Sequence, residues 1–309
     1  MNPINALFSE PYETSLELPL VTVRNTTGFI KRIQQIVLLL LRPLLDAFQY
    51  IYHAFANFKK SRSFQIFLSK TCENCLNYDL KTLPWANKQE SKGLFLFVHG
   101  LFGNTYTFGS YISECHKKYP DWDVVAPRVY QRGICSLEQA TLPLLNILKD
   151  YLNRFPTSPV YLIGTSNGAR ILSKIETLLS EEDLLSRKTR IISVAGVHLG
   201  TKVVDTLVNF QSMRKHVFHE LSEELTFNSP FAQQLLKELQ EKQTVWIENG
   251  VDIKHLFIAT LYDECVIPQS SCLPILKQGQ TDYKIFPDHN HLSVVHGAKK
   301  TVFNWLKEN

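Results

Sequence analysis

The amino-terminal part of the sequence has the pattern of neither a cleavable signal nor a membrane-spanning segment. Its first 25 residues contain Glu10, Glu13 and Glu17 and no apolar core, so no secretory signal peptide is expected. The apolar run Ile36–Leu41 ends at Arg42, whereas a spanning helix needs about 20 apolar residues. These absences predict a protein that is cytoplasmic or bound to a membrane at its surface.

The sequence also has little excess charge and few cysteines. The formal net charge of its 309 residues is +4 and the charges are scattered, which argues against a nucleic-acid partner. Among six cysteines, Cys72 and Cys75 form one Cys-x-x-Cys pair, and no second pair completes a structural zinc site. We therefore expect reduced thiols, no metal and no cofactor.

Residues 1–62 are predicted to form an amino-terminal extension with an amphipathic helical stripe, ahead of an enzyme-sized domain over residues 63–309. The stripe is expected to break or kink near Arg42-Pro43. Two interpretations stay open: the stripe packs on the following domain, or residues 29–60 contact a membrane surface. Its apolar members are Phe29, Ile33, Val37, Leu40, Leu44, Phe48, Ile51 and Phe55.

The most informative segment is 160–170, Val-Tyr-Leu-Ile-Gly-Thr-Ser-Asn-Gly-Ala-Arg. An apolar strand runs directly into Gly-x-Ser-x-Gly and then into a helical pattern, which is typical of a sharp turn that exposes a nucleophilic serine, Ser166. Gly164 and Gly168 are expected to let neighbouring chain pass close by. In the helix that follows, the spacing predicts that Arg170, Lys174 and Glu176 face outward.

A second strand-to-turn pattern lies upstream, at 93–104, Gly-Leu-Phe-Leu-Phe-Val-His-Gly-Leu-Phe-Gly-Asn. Its five consecutive apolar residues indicate a strand buried on both faces of a parallel sheet. The turn after this strand presents backbone N–H groups. We expect the N–H groups of Leu101 and Asn167 to stabilise a developing oxyanion.

An acid and a histidine are expected further downstream, in that order. Asp263 follows the apolar segment 255–260, with Glu264 as the alternative acid. A short strand over 282–286 precedes Pro-Asp-His-Asn-His. We favour His291 as the base, while His289 remains open; His296 falls in the closing helical pattern and is interpreted as a structural or surface residue. The proposed catalytic residues therefore occur along the chain in the order Ser166, Asp263, His291.

The runs His-Gly-Leu-Phe-Gly at 99–103 and Gly-Thr-Ser-Asn-Gly at 164–168, with Asp263 and His291, resemble the α/β-hydrolase superfamily. Within it, the chain is similar to bacterial triacylglycerol-lipase-like and esterase-like serine hydrolases, over roughly residues 93–309. The resemblance implies an α/β fold with a mostly parallel central sheet, helices on both faces and a helical cap insertion at about 201–254.

The resemblance also implies a carboxylic ester hydrolase that acts on an acyl ester or lipid substrate through a Ser-His-Asp triad. Two alternatives stay open. One is an acyltransferase or thioesterase with the same triad, and the other is a catalytically silent hydrolase fold that serves as a binding module.

Overall fold

The strands that the structure describes form one parallel sheet. A computed structural model describes residues 80–204, 219–276 and 280–309, all of which lie in one compact unit. The strands are β1 (Leu94–Val98), β2 (Asp123–Val125), β3 (Val160–Thr165), β4 (Thr189–Val194), β5 (Ile253–Tyr262) and β6 (Thr281–Asn290). Their order is β2-β1-β3-β4-β5-β6, and every neighbouring pair is parallel.

Helices connect the strands. They are α1 (Gly109–Lys118), α2 (Leu137–Arg154), α3 (Asn167–Leu178), α4 (Glu181–Leu184), α5 (His219–Leu225), α6 (Pro230–Glu248), α7 (Ser293–Gly297) and α8 (Lys299–Glu308). Short 3-10 helices lie at Leu80–Thr82, Thr105–Phe108, Tyr130–Gly133 and Gln269–Cys272. No helix in these described parts of the chain is long and apolar enough to cross a bilayer.

The side chains of β1 alternate between two cores, one on each face of the sheet. Leu94, Leu96 and Val98 pack with side chains of α2, α3 and α6 on one face. Phe95 and Phe97 pack with side chains of α1 and α8 on the other. All five are fully buried, and burying each such side chain contributes about 1.5–3 kcal/mol. The predicted parallel sheet with helices on both faces is confirmed.

The start of α2 matches its sequence signal. Ser136 accepts a hydrogen bond from the Gln139 N–H, and the Gln139 side chain accepts one from the Ser136 N–H. This reciprocal cap satisfies two N–H groups that have no partner within the helix.

The helical part of the predicted cap insertion includes α6. Ser229 caps this helix and Pro230 occupies its first turn, as the sequence predicts. Trp246 of α6 belongs to the core on the α2–α3 side, and Lys174 of α3 pairs with Glu238 at 2.9 Å. Within residues 201–254, α6 therefore packs beside the sheet along α3, and residues 205–218 lie outside the described chain.

The expected outward positions of Arg170 and Glu176 on α3 are wrong. Both side chains are buried, with 0% and 1% exposure. Helix α3 is enclosed because α2, α6 and the sheet all pack against it. A helix with neighbours on several sides buries residues that a simple amphipathic pattern assigns to solvent.

The extension over 1–62, its stripe with the proposed membrane segment 29–60, and Cys72 and Cys75 lie outside the described residues. Their interpretations stay predictions.

Candidate active site

Ser166 lies in a strained turn between β3 and α3. Its φ is 54° and its ψ is −127°, a conformation that costs a non-glycine residue about 1–3 kcal/mol. Three backbone hydrogen bonds hold the turn: the Ser166 N–H donates to the Val194 carbonyl at 3.0 Å, and the Ser166 carbonyl accepts from Ala169 at 3.1 Å and from Val197 at 3.4 Å. The turn therefore fixes the serine at the carboxyl end of β3.

Two glycines allow backbone to approach this turn closely. A Cβ on Gly168 would lie 2.1 Å from the Val98 carbonyl oxygen, and a Cβ on Gly100 would lie 2.7 Å from the Ser166 Cβ. Both distances are shorter than any real Cβ contact. The loop after β1 consequently packs directly on the serine, as the sequence predicts for Gly168.

The loop after β1 also brings two N–H groups to the serine turn. Leu101 follows Gly100, and Asn167 follows Ser166 at the first position of α3. Among the described residues, neither N–H donates to another protein group. Gly133 lies beside both, since a Cβ there would be 3.4 Å from the Leu101 side chain and 3.5 Å from the Asn167 side chain.

The side chain of His99 joins this loop to the segment 129–133. Its Nε2 accepts from the Val129 N–H at 3.0 Å, so Nδ1 carries the proton that it donates to the Gly100 carbonyl at 2.8 Å. Burial lowers the pKa of His99 to about 4; the bond to Gly100 partly opposes this, and the charges of Arg132 and Arg128 add to it. His99 is therefore a neutral link between two loops.

The sequence gives no sign that Arg132 holds the same loop. The Phe102 N–H donates to the Arg132 carbonyl at 3.0 Å, and the Arg132 guanidinium donates to the Phe102 and Gly103 carbonyls at 2.5 and 3.3 Å. Gln131, Arg132 and Gly133 all have positive φ. Glycine adopts positive φ readily, so of these three residues only Gly133 indicates such a backbone conformation from its type.

Asp263 and His291 are brought together at the ends of β5 and β6. The distance between Asp263 Oδ2 and His291 Nδ1 is 2.9 Å, and both residues are buried. Asp263 Oδ1 also accepts from the N–H groups of Cys265 and Val266 at 2.9 and 2.7 Å. The carboxylate is thus fixed by the turn that follows β5 and can orient the imidazole.

The alternative residues occupy other positions. Glu264 accepts from the backbone N–H of His291 at 3.1 Å and does not bond to the ring. His289 is half-buried, its ring is tilted by 51° against that of Phe286, and its Nδ1 lies 3.3 Å from the Ser293 Oγ. His296 is exposed in α7. Among the residues considered, the carboxylate of Asp263 and the ring of His291 form the acid–imidazole pair.

Ser166, Asp263 and His291 each follow a different strand of the parallel sheet, and the carboxyl ends of parallel strands share one edge. The described residues include no hydrogen bond between Ser166 and His291. Hydrogen bonds of catalytic groups are often long before substrate binds. The triad of these three residues therefore remains a prediction, and within it Asp263 and His291 are in contact.

Three buried polar groups of α3 anchor the helix that begins at this serine. Arg170 pairs with Glu224 at 3.0 Å, and Glu224 also accepts from the Leu137 N–H at the start of α2. Glu176 Oε1 lies 2.8 Å from the Nε2 of His255, on β5. Each contact joins α3 to another element, so the helix is fixed in rotation about its own axis.

The third anchor is Ser173, which contacts His198, and the His198 ring lies between two serines. Its Nδ1 is 3.2 Å from the Ser173 Oγ and its Nε2 is 2.7 Å from the Ser193 Oγ. Burial, with smaller contributions from the charges of Arg170 and His255, lowers the pKa of His198 to about 3. The ring is neutral near pH 7 and links α3 to β4.

No protein-family model and no curated protein matches this sequence. Among solved structures, the chain is similar to a monoacylglycerol lipase of Paleococcus ferrophilus, with 12% identity, a TM-score of 0.46, and 71% of this chain and 95% of that one covered. A structure described under two metagenome-derived lipolytic enzymes, LipS and LipT, matches at 13% identity with a TM-score of 0.48, and 71% of this chain and 95% of that one are covered. MenH from S. aureus matches at 15% identity with a TM-score of 0.44, and 72% of this chain and 96% of that one are covered.

The sheet order and the turn at Ser166 are those of an α/β-hydrolase fold, in which a nucleophile follows a central parallel strand. The parallel central sheet with helices that the resemblance implies is therefore confirmed, and the cap insertion at about 201–254 stays a prediction.

Proposed function

We propose that this protein is a serine hydrolase that cleaves carboxylic esters of lipids or lipid-like molecules. Ser166 is the nucleophile, His291 the general base and acid, and Asp263 the carboxylate that orients the imidazole. The backbone N–H groups of Leu101 and Asn167 form the oxyanion hole.

The reaction proceeds through an acyl-enzyme. His291 Nε2 takes the proton of the Ser166 hydroxyl as Oγ attacks the ester carbonyl. The N–H groups of Leu101 and Asn167 stabilise the oxyanion. The imidazolium then protonates the departing alcohol, and the ring next removes a proton from the water that hydrolyses the acyl-enzyme. Asp263 stays ionised throughout.

The observation that carries this proposal is the hydrogen bond of 2.9 Å between Asp263 and His291, at the sheet edge where the strained turn at Ser166 also ends. An imidazole with one nitrogen held by a buried carboxylate has the other nitrogen available for proton transfer. A turn with a purely structural role would not require both a strained backbone at Ser166 and a buried Asp263–His291 pair at the same edge of the sheet.

Exposed apolar side chains beside the proposed catalytic groups support an apolar acyl substrate. Phe102 follows Leu101 and is 52% exposed, and Leu292 follows His291 and is 54% exposed. Tyr262 precedes Asp263 and is 64% exposed. Each is adjacent in sequence to a residue of the proposed site, and apolar side chains that line a site favour an apolar ligand.

A fluorophosphonate probe tests the nucleophile. We expect the full chain to be labelled covalently and Ser166→Ala to lose the label. Ser110→Ala is the matched control, since Ser110 lies in α1 at the protein surface and its loss leaves labelling unchanged. Labelling of Ser166→Ala at the level of the parent chain would contradict the proposal.

A series of esters of increasing acyl length tests the substrate class. We expect kcat/KM to rise as the acyl chain lengthens from two carbons, because each buried CH₂ contributes about 0.8 kcal/mol. Equal rates for all lengths would contradict a lipid substrate. Preferential transfer of the acyl group to an added alcohol rather than to water would assign an acyltransferase instead.

Residues 29–60 are proposed to contact a membrane surface through the apolar stripe. Apolar residues at helical spacing with lysine and arginine nearby suit an interfacial helix. Flotation of the full chain with vesicles that contain anionic lipid tests this. We expect Leu40→Glu/Leu44→Glu to abolish flotation and to retain fluorophosphonate labelling. Flotation of that variant equal to the parent would contradict membrane contact by the stripe.

A further inference from the structure

The turn after β5 brings three different metal-binding side chains together. One ligand atom each of Asp263, Cys265 and His291 lies within 4.8 Å of the other two. Asp263 and His291 are buried, and Cys265 is partly exposed. The proposed acid and base therefore have a sulfur atom beside them that the hydrolytic reaction does not use.

The backbone explains why Cys265 lies there. Asp263 Oδ1 accepts from the N–H groups of Cys265 and Val266, which curls the chain back over the carboxylate. The Cys265 carbonyl accepts from the Thr201 hydroxyl at 2.8 Å. Both contacts use backbone atoms of Cys265, and together they hold the residue at this place in the turn.

The chemistry of these three groups matches zinc. A thiolate, an imidazole and a carboxylate are the protein ligands that Zn²⁺ takes, and three of them leave a fourth position for water. Ligand atoms around tetrahedral zinc are roughly 3.5 Å apart. The ligand atoms of Asp263 and His291 are already 2.9 Å apart, so an inward shift of the Cys265 sulfur by about 1 Å brings the set close to bonding geometry. Such a shift is within the reach of a partly exposed side chain in a turn.

A second carboxylate contacts the backbone of one of these three residues. Glu264 Oε2 accepts from the His291 N–H, while Glu264 Oε1 is buried and has no hydrogen-bond partner among the described residues. A buried carboxylate oxygen without a donor is unfavourable. A nearby cation reduces this cost, so Glu264 favours a metal ion at the cluster.

We propose that Asp263, Cys265 and His291 form an inhibitory zinc site that blocks the hydrolase reaction when it is occupied. This site departs from the expectation of no metal drawn from cysteine spacing, because its ligands are not in a Cys-x-x-Cys pattern. Its effect on catalysis rests on the proposed function, whereas zinc binding itself does not.

Binding is incompatible with general base catalysis whichever ring nitrogen is used. With zinc on Nε2, the nitrogen that receives the serine proton is occupied. With zinc on Nδ1, the single proton of the neutral ring moves to Nε2, which then has no lone pair to accept another. In both cases the Cys265 thiol releases one proton to solvent as it becomes the thiolate ligand.

The binding test uses the full chain with Cys72→Ser and Cys75→Ser, which removes the other cysteine pair. Competition with a chromophoric chelator measures the affinity for Zn²⁺ alone. We expect one ion per chain, and Cys265→Ser to weaken the affinity at least about tenfold. Cys135→Ser is the matched control, because a serine hydroxyl can still donate to the Tyr130 carbonyl as the thiol does, and it leaves the affinity unchanged.

Cobalt provides a signature that a structural role of Cys265 would not produce. Co²⁺ bound to the chain with intact Cys265 is expected to show a thiolate-to-metal charge-transfer band, and Cys265→Ser to lose it. A circular dichroism melt of Cys265→Ser equal to that of the parent excludes unfolding as the cause. Absence of zinc binding, or an affinity unchanged by Cys265→Ser, would overturn the inference.

Inhibition is measured separately. We expect zinc to suppress ester hydrolysis with the midpoint found for binding, chelator to restore the rate, and the rate of Cys265→Ser to resist the same zinc concentration. Ester hydrolysis by a chain that does not bind zinc contradicts this inference and leaves the proposed function intact. Zinc binding by a chain that hydrolyses no ester contradicts the proposed function and leaves the metal site intact.

Discussion

Asp263 Oδ2 and His291 Nδ1 lie 2.9 Å apart although the two residues are 28 positions apart in the chain. The other oxygen of Asp263 is held by two backbone N–H groups. All of these contacts depend on the turn after β5 and on the end of β6. The orientation of the imidazole is thus a property of the sheet edge as a whole.

Replacing Asp263 is expected to affect turnover far more than replacing its neighbour. Asp263→Asn removes the carboxylate that fixes the tautomer, and we expect kcat to fall about 10⁴-fold. Glu264→Gln keeps an oxygen that can accept the His291 N–H, so we expect a fall of less than about tenfold. Steady-state kinetics with a short-chain ester measure both. A larger loss in Glu264→Gln than in Asp263→Asn would reverse the assignment of the acid.

The glycine after the serine turn is expected to be intolerant of a methyl group. In Gly168→Ala the new Cβ would clash with the Val98 carbonyl, 2.1 Å away, and we expect the free energy of unfolding to fall by about 3 kcal/mol. Gly109→Ala is the control, because nothing lies within 4 Å of its Cβ position and its φ is −52°. It should stabilise the fold by about 0.5 kcal/mol. Urea unfolding measures both, and equal midpoints for the two variants would contradict the packing described at Gly168.

Two buried histidines are expected to make the fold sensitive to acid. Burial lowers the pKa of His99 to about 4 and that of His198 to about 3, from the ordinary value of 6.5. As the pH falls below 6.5, the unfolded chain binds two protons that the folded chain does not. The free energy of unfolding therefore falls by about 2.7 kcal/mol per pH unit between roughly pH 6 and pH 4.

Urea unfolding at several pH values measures this slope. His198→Asn removes one of the two groups and should reduce the slope by about 1.4 kcal/mol per pH unit. His296→Asn, in which an exposed ring of α7 is replaced, is the control for the substitution itself. A slope in His198→Asn equal to that of the parent would show that His198 is not kept neutral by the fold.

Breaking the buried pair of Arg170 and Glu224 is expected to cost more than removing both charges. Arg170→Met leaves the carboxylate of Glu224 without its cation, and we expect a loss of about 3–5 kcal/mol. In Arg170→Met/Glu224→Gln no charge is left, and the amide oxygen can still accept from the Leu137 N–H. We expect this double variant to recover at least half of the loss in urea unfolding. A double variant that is less stable than Arg170→Met would contradict this account of the pair.

The sequence predicts the parts of this structure that depend on neighbouring residues. The apolar run over 94–98 forms β1 with those bounds, and Ser136 with Gln139 forms the expected helix cap. The turn at Ser166 is also local, since the glycines that permit it lie within two positions. Strand ends are less well defined: β6 continues through Pro287 to Asn290, beyond the apolar segment, because pairing with β5 extends it.

Long-range polar contacts are what the sequence does not reveal. Arg170 and Glu176 follow a pattern that indicates a solvent face, yet their partners Glu224 and His255 lie 54 and 79 positions away. The hydrogen bond from the Arg132 guanidinium to the Phe102 carbonyl likewise joins residues that are 30 positions apart. No periodicity within α3 or within the loop after β1 contains information about such distant partners.

The three polar anchors of α3 also bear on how this chain can diverge over evolutionary time. Each anchor is a reciprocal fit between two positions, so a substitution at one member is penalised until its partner also changes. Positions 170 and 224, 173 and 198, and 176 and 255 should consequently covary as pairs in homologous sequences. The serine turn is constrained in the same way, because any rotation of the helix about its axis would displace the proposed nucleophile.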